Sequence, residues 1–248
     1  MTRPALRAVF FDVGNTLLYP HPSVAEVCRQ VLREAGHTRD LSAIDDLMPL
    51  VEEYYEDRYR ADDTFWTSEE EVSDVWLGMY SLLCRRLGIT QQAEAIARRV
   101  YDEFGLASRW RPFDDVVPAF ERLRARGLRV GIVSNWDRRL PRLLTGLGLD
   151  PLIDTVVCSA EVGLHKPDPR IFELACRRVG VAPEEAAHVG DHYYADVIGA
   201  GVAGLIAVLL DRKGHSPAAE GLESIRTLDA LDAQLWGDRG TCGGGARR

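Results

Sequence analysis

The sequence predicts an α/β fold, a doubly wound parallel sheet with an inserted α-helical module, and two observations carry that expectation. Short apolar runs of strand character follow residue 113 and alternate with amphipathic helical segments, the rhythm of a parallel sheet covered on both faces. Residues 18 to about 110 break the rhythm with four helical segments in succession and no strand between them. A chain of 248 residues, 46% hydrophobic and 27% charged, has the length and composition to bury a core of this kind.

The first strand is "RAVFF", and it runs straight into Asp12, Gly14, Asn15 and Thr16, an acid at a strand end followed by a tight turn. The inserted segments "PSVAEVCRQVLREAG", "LSAIDDLMPLVEEYYEDRYRA", "SEEEVSDVWLGMYSLLCRRLG" and "TQQAEAIARRVYDEFG" each place apolar residues at helical spacing. The third opens on Ser68 with Glu71 three residues later, a capping box. After the chain returns near "RWRPFDD", the helical segments "DDVVPAFERLRARG", "RRLPRLLTGLG" and "PRIFELACRRVG" each end on a glycine, as helix C-termini do. Between and after them, "RVGIVS", "DTVVCS", "AAHVG" and "LIAVLL" read as buried strands. The expected division is a core of residues 1–17 and 111–235, a helical cap of 18–110, and a glycine-rich, mobile tail of 236–248.

The net charge of −8 and the pI near 5.3 argue against nucleic acid or an anionic membrane as a partner. The longest nearly pure apolar run, "GVAGLIAVLL", is too short to span a bilayer. No sustained apolar segment precedes Asp12, so no secretory signal is expected. The five cysteines are scattered without metal-clip or redox-motif spacing, which suits a reducing cytosol. The sequence leaves the number of subunits open. Lysine occurs only at Lys166 and Lys213, so the helical segments 18–110 contain none.

In an open parallel sheet, functional residues gather just beyond the carboxyl ends of the strands. Asp12 follows "AVFF", Ser134 and Asn135 follow "VGIV", and Asp191 follows "AAHVG" and leads through "HYYAD" to Asp196. Lys166 sits in "HKPDP", where Asp168 reads as an N-cap with Pro169 at the first helical position. Each has a plain structural explanation alone: a turn residue, a strand-to-loop pair, a cap, a solvated lysine. In this order at successive strand ends, they point to one site.

The ordered set "DVGNT", "VSN", "HKPDP" and "GDHYYAD" resembles the haloacid dehalogenase-like hydrolase superfamily, in its branch with a helical cap, over residues 7 to about 211. The resemblance implies a Rossmann-like core and a hydrolase acting on a small phosphorylated metabolite. It makes Asp12 the nucleophile and gives Mg²⁺ to Asp12, Asp191 and the Gly14 carbonyl, with Asp196 completing the acidic shell directly or through water. It further implies that Ser134, with the Asn135 amide as a second donor, hydrogen-bonds a phosphoryl oxygen while Lys166 balances charge.

One position departs from that pattern. The family's phosphatases carry a second acid two residues after the nucleophile, where it protonates the leaving oxygen and later activates water; here that residue is Gly14. General acid–base help is typically worth about 10²–10⁴-fold, or roughly 3–5 kcal/mol of barrier. Three readings follow. The first is a phosphatase that is slow or takes its acid from elsewhere, such as His192 or a cap residue. The second is a 2-haloacid dehalogenase, although dehalogenases of this superfamily carry serine and asparagine where this chain has Gly190 and Asp191. The third is a non-catalytic binding or regulatory protein that keeps the fold. A phosphonate-cleaving relative would use a cap lysine, and the cap has none.

Overall fold

The computed structural model describes residues 5–214 and 224–236. Its elements, in chain order, are strands β1 (Ala8–Phe11), β2 (Leu18–Pro20), β3 (Trp110–Pro112), β4 (Arg129–Ser134), β5 (Thr155–Cys158), β6 (Ala186–Gly190), β7 (Ile206–Leu210) and β8 (Ser224–Ile225). The helices are α1 (Val24–Glu34), α2 (Leu41–Asp45), α3 (Met48–Ala61), α4 (Glu69–Arg86) and α5 (Ala93–Glu103), then α6 (Val116–Ala125), α7 (Leu140–Gly146), α8 (Ser159–Val162), α9 (Pro169–Val179), α10 (Gly199–Val202) and α11 (Leu231–Trp236). Six strands form one parallel sheet in the order β5-β4-β1-β6-β7-β8. The chain winds outward from β1 through β4 to β5, then crosses to β6 on the other side of β1. The loops after β1, β4 and β6 therefore open at the same place, where such sheets hold their ligands.

β1 shows why this sequence makes a buried central strand. Val9 and Phe11 point into one apolar cluster with Val116, Phe120 and Leu123 of α6 and Leu140 and Leu143 of α7. Ala8 and Phe10 point into another with Ile171, Phe172 and Ala175 of α9. Side chains alternate along a strand, so a continuous apolar run is what a sheet covered on both faces requires. Fully burying a phenylalanine such as Phe120 contributes about 1.5–3 kcal/mol. Where Phe10 crosses β4 the neighbour is Gly131, on which a Cβ would lie 2.6 Å from the Phe10 ring.

Helices α1–α5 bury a third cluster of their own, including Val27, Val31, Val75, Leu83, Ile96 and Val100. The chain enters and leaves this module through β2 and β3, which pair antiparallel with Tyr19 opposite Arg111. On this packing we propose the core and cap division at residues 18 and 110. The module also touches the core directly: the Arg138 N–H donates to Glu69 at 2.8 Å, and Arg139 donates to the Tyr101 carbonyl at 2.6 Å.

The five strands expected from sequence all form, while three short ones escape it: β2, β3 and β8 have too few residues for any periodicity to show. The single helix expected over 41–61 is two, α2 and α3. Pro49 supplies no N–H to bond the Asp45 carbonyl and its ring crowds that group, so a continuous helix breaks at 46–47. The expected capping box of α4 is half present, with Ser68 Oγ accepting from the Glu71 N–H at 3.4 Å. Apart from Trp236, which ends α11, the segment 236–248 that the sequence reading expects to be a mobile tail, with its Cys242, lies outside the described residues; the other four cysteines are free and buried. Among the described residues, no helix is long and apolar enough to cross a membrane.

Candidate active site

Asp12 continues β1 by one residue, its N–H donating to the Val189 carbonyl of β6 at 2.9 Å. The chain then reverses at once: the N–H groups of Leu17 and Leu18 both donate to the Val13 carbonyl at 2.9 Å. Asn15 adopts a left-handed backbone in this turn, with φ 53°, a conformation asparagine tolerates better than most residues. Gly14 does not need that freedom.

Four further side chains meet Asp12 or its neighbours. Ser134, the last residue of β4, donates to Asp12 Oδ1 at 3.0 Å. Lys166, 2% exposed, donates from Nζ to Asp12 Oδ1 and to Asp196 Oδ1, each at 2.6 Å. Asp191 stands directly after β6, and carboxylate oxygens of Asp12, Asp191 and Asp196 lie within 4.8 Å of one another. Asp196 arrives on a turn of π-helix, Tyr193–Ile198, whose N-cap is His192 rather than Asp191: the Ala195 N–H donates to His192 Nδ1 at 3.1 Å.

The charges are strongly coupled to burial. Burial disfavours the Lys166 ammonium, but Asp12 and Asp196 outweigh it and raise its pKa above the ordinary lysine value. Burial likewise disfavours ionised Asp196, yet Lys166 and His188 win and hold it below the ordinary carboxylate value. For Asp191 the help of Lys166 is outweighed; burial first, then the negative charges of Asp12 and Asp196, pushes it up to about 7.

Three crowded carboxylates, one of them resisting ionisation, form a donor set that suits a hard divalent cation with oxygen ligands. The members differ. Asp196 Oδ1 is engaged by Lys166 and His188, and its Oδ2 accepts from the His192 N–H at 3.0 Å. Among the described residues, no donor occupies Oδ2 of Asp12 or of Asp191. Asp12 and Asp191 thus keep open oxygens, with Gly14 bordering the same cavity, while Asp196 works chiefly to hold Lys166.

Asn135 is engaged with Lys166. Its side chain accepts from the Lys166 N–H at 2.8 Å and donates to the Lys166 carbonyl at 3.0 Å, so its amide group clamps the lysine backbone. Three residues went unremarked as functional. His188, wholly buried on β6, lies with Nε2 2.8 Å from Asp196 Oδ1, its pKa lowered by burial, so the neutral ring donates there. The only sequence signal was a histidine inside a buried strand, two residues before Gly190. Thr16 donates to Asp191 Oδ1 at 3.3 Å and was visible as the last letter of "DVGNT". Gly190 lets Asp196 approach: a Cβ there would lie 2.1 Å from Asp196 Cγ.

These groups form the floor of a cavity of about 730 Å³ between the strand ends and helices α1–α5. The cap side is lined largely by aromatic residues, among them Tyr55, Tyr59, Trp66 and Trp76. A carboxylate with an open oxygen, a buried ammonium beside it and a cation-ready pair of acids are groups whose chemistry suits a reaction on an anionic substrate.

The family model described as haloacid dehalogenase-like hydrolase matches residues 6–204. The chain is 34% identical over 215 residues to mouse haloacid dehalogenase-like hydrolase domain-containing protein 3, covering 84% of this chain and 83% of that protein. It is 34% identical over 222 residues to glyceraldehyde 3-phosphate phosphatase of Methanopyrus kandleri, covering 84% of each. It is also 29% identical over 245 residues to (S)-2-haloacid dehalogenase 4A of Burkholderia cepacia, covering 94% of each. Among solved structures, the HAD phosphatase from Thermococcus onnurineus superposes with a TM-score of 0.65 at 27% identity, covering 94% of this chain and all of that one.

Proposed function

The chain belongs to the haloacid dehalogenase-like hydrolases, and from that premise we propose that it is a Mg²⁺-dependent phosphatase working through an aspartyl-phosphate at Asp12. The observation that carries the proposal is the meeting of Asp12 with Ser134, Lys166 and Asp191 at adjoining strand ends. Asp12 and Asp191 would hold the cation with the Gly14 carbonyl. Bound there, it supplies charge neutralisation between nucleophile and phosphoryl oxygens.

Asp12 needs no base, because its carboxylate attacks as the anion. As its oxygen bonds to phosphorus, the ester P–O bond breaks and the departing oxyanion takes a proton from water. Lys166 stays charged throughout and holds the attacking carboxylate against Asp196. Ser134 turns its hydroxyl from Asp12 to a phosphoryl oxygen. Water then attacks phosphorus, its proton passes to solvent or to the phosphate itself, the Asp12 oxygen–phosphorus bond breaks, and inorganic phosphate leaves. Nothing at position 14 accepts that water's proton, so the second step is the slow one. A cytosolic setting suits the four buried free thiols.

The dehalogenase reading has a homologue in its favour but a local obstacle. Serine in place of Gly190 would collide with Asp196, and the Asp191 carboxylate would repel a carboxylate substrate. Hydrolysis of 4-nitrophenyl phosphate with and without Mg²⁺, beside halide release from 2-chloropropionate, tests the choice. Mg²⁺-dependent phosphate release abolished by Asp12→Asn supports the phosphatase. Halide release without phosphate release would replace it with the dehalogenase, and silence in both assays with the non-catalytic reading.

A further inference from the structure

The cavity is far larger than a phosphoryl group requires, and its volume of about 730 Å³ falls in the range of sites for drug-sized ligands. Its polar groups are concentrated on the floor around Asp12. Above them the walls are apolar and largely aromatic: Tyr55, Trp66, Trp76, Met79, Phe104 and Trp136. Trp136 approaches closest to the reacting loop, because a Cβ on Gly14 would meet its Cζ3 at 3.5 Å. Where an acid would stand beside the leaving oxygen, this chain presents the edge of an indole packed on Trp110, with ring centres 5.1 Å apart.

The charges facing the cavity narrow the substrate further. Among the described residues the lysine and arginine side chains that line it are Lys166 and Arg139, and His192 is the one further basic side chain, its Nδ1 accepting from the Ala195 N–H. Lys166 is spent on Asp12 and Asp196. Arg139 is spent on Asp137, with bonds of 2.8 and 2.6 Å, on the Tyr101 carbonyl, and on the Tyr101 ring 3.7 Å beneath it. The charged residues that the cap contributes to the lining are Asp45, Glu52 and Glu56, all acidic and all exposed at the rim. A second anionic group on the substrate would therefore meet an apolar wall or an acidic rim with no free lysine or arginine among the described lining residues, His192 and the Tyr59 hydroxyl being further polar groups of the lining. An unpaired charge pays heavily for that loss of water.

We propose that the substrate is a phosphate monoester of an aromatic or bulky apolar alcohol or phenol that carries no second anionic group. The proposal rests on the phosphatase reading and names the substrate class of the same site. It also fits the missing acid, since a phenolate departs with little protonation.

Because a good leaving group by itself speeds turnover, binding of non-hydrolysable phosphonates separates fit from chemistry. With Mg²⁺ present, benzylphosphonate should bind at least about tenfold tighter by calorimetry than ethylphosphonate or phosphonoacetate, as burial of one aromatic ring predicts. In turnover, 2-phenylethyl phosphate should exceed ethyl phosphate in kcat/KM, although both release similarly basic alkoxides. Glu56→Lys, a change on the exposed rim, should selectively improve phosphonoacetate. Phosphonoacetate binding the unaltered protein as tightly as benzylphosphonate would overturn the substrate class while leaving the phosphatase standing. If no phosphonate binds and no phosphate ester turns over, the phosphatase reading has failed and the substrate class falls with it.

Discussion

On the proposed mechanism Gly14 is the residue on which the reaction rate turns, and its surroundings make it replaceable. Its backbone is not left-handed, and a Cβ would meet only Trp136 at ordinary contact distance. The strained position is the next one, Asn15. Gly14→Asp should therefore fold without any compensating change at Asn15. It should raise steady-state turnover by some part of about 10²–10⁴-fold and shrink the burst of product that the slow second step should give when an activated phosphate loads Asp12. Rapid-quench measurement of burst amplitude checks both effects; a folded Gly14→Asp variant with unchanged burst and turnover would place the rate limit elsewhere. Gly190 is the opposite case. With Asp196 Cγ 2.1 Å from the would-be Cβ, Gly190→Ala should destabilise by about 1–3 kcal/mol, as overpacking does, and weaken the Mg²⁺-induced rise in Tm. Asp191→Asn should reduce that rise without the packing penalty. Tyr59 contributes a hydroxyl that is buried and without a hydrogen-bond partner. Tyr59→Phe should thus leave the urea midpoint unchanged or raise stability by up to about 1 kcal/mol, since it removes a desolvated group that is bonded to nothing.

At the scale of elements, the reacting loop is tied down from its far side. Arg212, just beyond β7, donates from Nε and Nη2 to the Thr16 carbonyl and pairs with Asp115 at the start of α6. Asp115 also accepts from the Leu228 N–H at 2.8 Å. Burial raises the Asp115 pKa, but these partners prevail and hold it below the ordinary carboxylate value. A carboxyl with a folded pKa below its unfolded value of about 3.9 contributes stability above that value and loses it as pH falls through the folded one. Urea midpoints measured from pH 7 to pH 3 should therefore fall less steeply below pH 4 for Asp115→Asn than for the unaltered chain. Parallel curves would assign acid sensitivity to other carboxylates. The chain His188, Asp196, Lys166, Asp12 is likewise a property of elements, since β6, the π-turn, the loop before α9 and β1 each contribute one member.

Over the described residues, core and cap meet through short paired linkers, polar clasps and apolar contacts such as Ala160 of α8 packed into the cap's own cluster and the Tyr59 ring against His192, and the site lies between them. Four of the five tryptophans, Trp66, Trp76, Trp110 and Trp136, line that cavity. A bound aromatic phosphonate should therefore change intrinsic fluorescence, with Trp136→Phe removing part of the response. A saturating ligand that leaves the emission unchanged would mean that it binds outside the cavity.

What the sequence determined by itself was whatever local pattern encodes. The five long strands were legible because a strand buried on both faces must be apolar throughout. The ends of α6, α7 and α9 were legible because Gly127, Gly148 and Gly180 supply the left-handed residue that stops a helix. Asp12, Ser134 and Asp191 were legible as candidates because strand ends are where an open sheet exposes side chains, and Lys166 and Asp196 because "HKPDP" and "GDHYYAD" complete the ordered set of motifs. Tertiary structure decided the rest, because it depended on residues far apart in the chain. The pairing of β2 with β3 joins segments some ninety residues apart, and each is too short to announce itself. The Asn135 clamp on Lys166 follows from a contact that only folding creates. His188 looked like any residue in a strand until Asp196 was brought beside it. The aromatic wall over Asp12 is likewise invisible in sequence, where the same tryptophans and tyrosines read as helix core. Which face of each ring meets a cavity is set by the packing of five helices against a sheet, and no local pattern records it.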